Sequence, residues 1–123
     1  MGVANSERVL IAQILARHGA RPDARLWRNA SSLVYVGTPA GRTALGHLVL
    51  ANARPIEAGL CVGSSDLVGI RDGGQFLGLE VKFGKTRLQE RQERWLELIE
   101  KLGGCGRVVR SVEEVDQILG EPE

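Results

Sequence analysis

Asp66-Leu67-Val68-Gly69-Ile70, then Arg71-Asp72-Gly73-Gly74, then Gln75-Phe76-Leu77-Gly78-Leu79-Glu80-Val81-Lys82-Phe83 make two β-type runs around a turn rich in glycine. Branched and large apolar side chains suit a pleated surface and Asp-Gly suits a tight reversal, so the stretch predicts a β-hairpin. In its second strand Leu77, Leu79, Val81 and Phe83 share one face, so Glu80 and Lys82 project together from the other. Folding back around Asp72-Gly73 sets Asp66 opposite Leu79 in a regular register, or opposite Glu80 if one glycine makes a bulge. Either register brings the two carboxylates near each other.

Outward from the hairpin, the chain alternates element types. Asn5 and Ser6 are good helix caps, and Leu10, Ile11, Ile14, Leu15 and His18 follow at helical spacing until Gly19. Glu7 lies on the same face as that apolar stripe, where a carboxylate needs a reason to point inward. Residues 25–29 and 32–36 read as short strand pieces, followed by a stretch punctuated by glycine and proline over 37–46 and an apolar run Leu48-Val49-Leu50 before Pro55. This middle segment reads as extended structure with turns, and as a place for an oligomer contact. After the hairpin, Leu88 to Leu102 is a helix with Leu88, Gln92, Trp95, Ile99 and Leu102 on one stripe and Gly103-Gly104 ending it. Arg107 to Arg110 is a short strand, Ser111 a cap, and Val112 to Leu119 a last helix. The order is α/β, and a crossover through the long helix makes the strands of Glu80 and Val108 parallel.

With 123 residues, 43% hydrophobic and 25% charged, the chain is the size of one compact domain spanning 1–123. Its formal charge of +1 gives no evidence for a nucleic-acid partner, although basic residues cluster over 21–28 and 82–94 and would allow a local basic surface. Cys61 and Cys105 lack the spacing of a metal knuckle and read as reduced core residues. The chain opens with no charged and then apolar leader, and no apolar run approaches the roughly 20 residues of a membrane span; the expectation is a soluble cytoplasmic protein without membrane contact.

The chemistry sits at the hairpin. Cleaving a phosphodiester needs a cation to polarise the phosphoryl oxygen and acidify an attacking water, and Mg2+ or Mn2+ is held by hard oxygens. Asp66 and Glu80 can supply them, the backbone carbonyl of Val81 can add a third, and Lys82 can position the water and stabilise developing charge. An Asp followed 14 positions later by Glu-x-Lys is common by chance, and the bland alternative makes Glu80 and Lys82 the solvent face of an edge strand. Glu7 and Gln92 shift the balance, since a polar group in an apolar stripe must find a partner. Their bland readings are a carboxylate favoured by the helix dipole and a helix-edge amide.

Together Gly63-Ser64-Ser65-Asp66-Leu67-Val68-Gly69-Ile70, Phe76-Leu77-Gly78-Leu79-Glu80-Val81-Lys82, Gln92-Glu93-Arg94-Trp95-Leu96, Gly103-Gly104 and Arg110-Ser111-Val112-Glu113 resemble the VRR-NUC (virus-type replication-repair nuclease) domain. Leu26-Trp27-Arg28-Asn29 resembles the family's segment after the first helix, and the similarity runs from about Glu7 to Glu114. The resemblance implies a PD-(D/E)XK (restriction-endonuclease-like) fold, a mixed sheet flanked by helices, and cleavage of DNA dependent on Mg2+ or Mn2+. By matched position it makes Asp66 and Glu80 metal ligands with the Val81 carbonyl, Lys82 the catalytic lysine, Glu7 the acid of the first helix and a further metal ligand, and Gln92 the glutamine near the metal. It further implies a homodimer acting on Holliday junctions, flaps or other branched DNA in phage or bacterial replication and repair. The competing readings are a non-catalytic DNA-binding or assembly module that keeps the fold, and a sequence-specific restriction-like enzyme with a reading loop at Thr38 to Ala53. His18 reads as a helix-end cation or edge residue and His47 as a loop or strand residue. Ser64 and Ser65 read as turn residues that orient Asp66, and Trp27 and Trp95 as core.

Overall fold

The computed structural model describes residues 2–123. Three helices, α1 (Glu7–His18), α2 (Glu90–Lys101) and α3 (Val112–Leu119), alternate with six strands: β1 (Ala24–Arg28), β2 (Ser32–Arg42), β3 (Leu48–Ala58), β4 (Leu67–Arg71), β5 (Gln75–Val81) and β6 (Cys105–Val109). A four-stranded mixed sheet runs in the order β1-β4-β5-β6, antiparallel as far as β5 and parallel between β5 and β6. The parallel pair is the one expected from the crossover through α2.

Alternation along the strands divides the side chains between two layers. Leu26, Leu67, Leu77, Leu79, Val81 and Val109 point to one face and bury against Leu10, Ile11 and Ile14 of α1 and Val115 of α3. The other face carries Gly78 and Gly106, direct neighbours on β5 and β6, and α2 lies on this shelf. A Cβ on Gly106 would stand 2.5 Å from the Leu96 carbonyl oxygen and one on Gly78 would stand 2.6 Å from the Trp95 ring. The absent side chains let a helix backbone approach the sheet directly. α2 starts at Glu90, later than Leu88, because Gln89 forms a reciprocal capping box with Gln92. Its buried residue is Leu96, with Trp95 and Ile99 half-buried beside it, whereas Leu102 is exposed.

The middle of the chain forms far more regular structure than expected. β2 and β3 make a separate antiparallel hairpin of 11 residues per strand, continuing through Gly37, Pro39 and Pro55. A two-stranded arm leaves both outer edges free, so a proline without an N–H costs no ladder bond there. The register shifts where Ala53 and Asn52 together oppose Gly37, with Asn52 in the left-handed region at φ 54°.

Five other expectations are corrected. Cys105 is core, but Cys61 lies exposed in the loop before β4. Trp95 caps the glycine shelf edge-on to Phe76, whereas Trp27 is 54% exposed because α2 covers only the β5–β6 side of its face. β5 ends at Val81, leaving Phe83 out of the core. The basic run over 21–28 does not form one surface, because Arg21 is buried and paired with Asp23 while Arg28 reaches the far end of β1.

His18 is no helix-end cation but a fully buried imidazole. Its Nδ1 faces Arg21 Nη1 at 2.9 Å and its Nε2 faces Asp116 Oδ1 at 2.6 Å. A guanidinium only donates, so Nδ1 accepts and the single proton sits on Nε2, donated to Asp116. Arg17 binds the same carboxylate through two hydrogen bonds, which ties α1 to α3. Burial pushes the His18 pKa down, whereas Arg17 first and then His18 hold Asp116 below the usual carboxylate range. A histidine kept neutral in the fold contributes stability that is full above its unfolded pKa of about 6.5 and lost as pH falls below it. Relative to His18→Gln, which cannot titrate, the wild type is therefore expected to lose thermal midpoint as pH falls from 7.5 to 5.5. Equal slopes for the two proteins would refute this account.

Candidate active site

The hairpin register decides how the charged residues meet. Leu67 pairs with Leu79 and Arg71 with Gln75, leaving a three-residue loop of Asp72, Gly73 and Gly74 in which both glycines take positive φ. The pairing continues to set Asp66 opposite Glu80, the second of the two registers the sequence allows. Asp66 Oδ2 accepts the Val81 N–H at 2.9 Å. Lys82 N–H donates across to the Val109 carbonyl, so the amide and carbonyl of Val81 point the other way, to the side of Asp66.

Glu80 and Lys82 are not the solvent face of an edge strand. β5 lies between β4 and β6, α2 covers the face, and the two residues are 2% and 6% exposed. Lys82 Nζ stands 3.7 Å from Glu80 Oε1, and Gln92 Nε2 donates to the same oxygen at 3.1 Å. The Gln92 carbonyl oxygen accepts the Gln89 N–H at 2.9 Å, so one side chain both starts α2 and holds the acid. Burial above all, then the hydrogen bond to and negative charge of Asp66, push the Glu80 pKa up to about 8 despite Lys82. Glu7, half-buried in the first turn of α1, adds a smaller push in the same direction. Among the described residues Glu7 makes no hydrogen bond with Asp66, Glu80, Lys82 or Gln92, and no three His, Cys, Asp or Glu residues cluster closely enough to ligate one ion.

Two acids crowded until one retains its proton, with the Lys82 ammonium beside Glu80, suit a divalent cation. The donors are hard oxygens, and two carboxylates with one main-chain carbonyl leave room for the waters Mg2+ and Mn2+ usually keep. A cleft of about 560 Å3 opens on Asp66 and Glu80. Arg28 and Asn29 from the end of β1, Glu57 from the foot of β3, and Arg91 with Gln92 from α2 wall it. Lys82 and Glu7 are not among the residues that line it. Ser64 and Ser65 support Asp66 as turn residues, their hydroxyls donating to the Cys61 carbonyl at 2.6 Å and the Leu67 carbonyl at 2.7 Å.

Sequence reasoning missed Asn29, Glu57 and Arg91 as cleft residues. Arg91 had two signals: it falls in the basic cluster over 82–94, and it is a cation in the first turn of a helix, where the dipole disfavours it. Neither Asn29 nor Glu57 breaks a hydrophobic period; Asn29 had only its place in Leu26-Trp27-Arg28-Asn29, the segment that resembles the family, and Glu57 had no signal.

Residues 7–113 match the family model of the VRR-NUC domain. No curated protein matches the chain.

Proposed function

The chain belongs to the VRR-NUC family, nucleases with a PD-(D/E)XK-type fold, and from that premise we propose that it is a Mg2+- or Mn2+-dependent endonuclease of branched DNA, working as a homodimer. One observation carries the reading: Glu80, buried beneath α2 opposite Asp66, is held by Lys82 and Gln92 in an arrangement that stability alone does not favour. A divalent cation would supply Lewis-acid polarisation of the scissile phosphate and a water acidic enough to attack near neutral pH. Asp66, Glu80 and the Val81 carbonyl are the groups that would hold it, with Glu7 adding negative charge. Lys82 orients the attacking water and offsets charge on the phosphate, and Gln92 fixes the Glu80 carboxyl. Arg28 and Arg91 give the cleft walls the positive charge a DNA backbone needs. The setting is phage or bacterial DNA replication and repair in the cytoplasm.

The β2–β3 arm supports the homodimer. It extends about 35 Å, and an isolated two-stranded hairpin is marginal in water. Leu33, Tyr35, Leu45, Leu48 and Ile56 on it are all exposed, yet only Arg42, Arg54 and Glu57 are charged between 32 and 58. So few basic residues suit a protein neighbour better than DNA, and a dimer would present two sites to the two strands of a branch. Tyr35→Asp with Leu48→Asp is expected to turn a dimer into a folded monomer by light scattering, while a monomeric wild type would remove the assembly from the proposal.

The deciding experiment incubates labelled four-way junction, flap and linear duplex DNA with Mg2+, Mn2+ or a chelator, beside Lys82→Ala. Metal-dependent cuts that favour branches and vanish in the variant support the reading. Binding without cutting would make a non-catalytic assembly module the better one.

A further inference from the structure

Asn29 is 8% exposed and spends its hydrogen-bonding capacity on one small region. Its Nδ2 donates to Ser64 Oγ at 2.9 Å and to the Ser65 carbonyl at 2.8 Å, and its Oδ1 accepts the Leu60 N–H at 3.0 Å. Its own backbone N–H donates to the Asp66 carbonyl at 2.7 Å. Residues 60–66 belong to no strand or helix, so this side chain stands in for the ladder that would otherwise fix them. Asp66 is thus held at two points, its main chain by Asn29 and its carboxylate by the Val81 N–H.

The same residue joins the feet of the arm. The arm begins at Ser32, three positions after Asn29, and ends at Ala58, two positions before Leu60. The feet press together, since a Cβ on Gly59, at φ 86°, would stand 2.8 Å from Ser31 Cα. Ser31 Oγ donates to the Cys61 carbonyl at 2.7 Å, within the same loop. Through Asn29 the base of the arm and the cleft acid form one hydrogen-bonded unit.

We propose that Asn29 is the positioning residue for Asp66, setting the acid for metal binding by pinning both feet of the arm to the loop that carries it. This rests on the nuclease reading above. Groups that orient a metal ligand change affinity or activity by about 10–100-fold when altered. Asn29→Asp keeps the acceptor for Leu60 but turns both donors into acceptors facing Ser64 Oγ and the Ser65 carbonyl.

The test uses the full chain with wild type, Asn29→Asp and Ser64→Ala, the last removing one partner of Asn29 and leaving the residue itself. Three quantities are read: Mn2+ affinity by calorimetry, amide exchange at Val81 relative to Leu79 in chelator-treated protein, and kcat against KM on cleaved DNA. Asn29→Asp is expected to weaken Mn2+ binding at least about tenfold, to quicken Val81 exchange relative to Leu79, and to lower kcat with KM unchanged. Ser64→Ala should move each in the same direction by less, and decides the matter if Asn29→Asp does not fold. Variants matching a wild type that binds Mn2+ and cuts DNA overturn this inference alone. A wild type that neither binds Mn2+ nor cuts overturns the nuclease reading as well.

Discussion

Lys82→Ala is expected to lower the single-turnover cleavage rate by at least about 100-fold while leaving the protein folded, because the ammonium is a fixed positive charge beside Glu80 and no part of the apolar core. Taking an ammonium out of water is costly, and its removal also removes that cost, so the thermal midpoint should change little. Asp66→Asn should be as severe for catalysis for a different reason. The amide still offers an oxygen to the Val81 N–H but no negative charge to a cation. The two substitutions should move Glu80 in opposite directions: without Lys82 its pKa climbs further, and without the Asp66 charge it relaxes toward the ordinary range. A well-folded variant of either kind that cuts at the wild-type rate would remove the assigned mechanism.

The second large effect is on pH. Glu80 holds its proton up to about pH 8 in the protein without a cation, and a cation displaces that proton when it binds. Mn2+ affinity is therefore expected to rise by up to about tenfold per pH unit from pH 6 toward 8 and then level off, with proton release visible as a dependence of the calorimetric heat on the buffer. Stability of the metal-free protein runs the other way. A carboxyl whose folded pKa lies above its unfolded value of about 4.5 contributes stability that is full below pH 4.5 and lost as pH rises toward 8. Glu80→Gln should thus stabilise the metal-free protein at pH 8 while abolishing Mn2+ binding. An Mn2+ affinity that stays flat between pH 6 and 8 would show that Glu80 is already ionised in the fold.

The opposed trends belong to a site built for function at a cost in stability. The acid is least comfortable where the enzyme is expected to work, and a cation relieves it. His18 has the reverse arrangement, with a polar group fully satisfied by Arg21 and Asp116, and so serves the fold alone.

Outside the arm, the sequence by itself determined which side chains share a face and which segments are helix or strand, because those are properties of a local period. Alternation in β5 put Glu80 beside Lys82, the glycine-rich turn folded Asp66 back toward them, and Ser6 and Ser111 capped their helices as read. Quantities that depend on a neighbouring layer were decided only by the tertiary structure. The three-residue loop chose between two registers, and the Gly78–Gly106 shelf drew α2 down until Glu80 and Lys82, polar by pattern, were buried. Half-coverage of the same face left Trp27 exposed, and packing between α1 and α3 buried His18. The long arm escaped notice because proline and glycine read as breaks, although a strand free on its outer edge tolerates both. The role of Asn29 was not legible, since it lies in hydrogen bonds to residues 31 to 37 positions away, a separation no sequence period encodes.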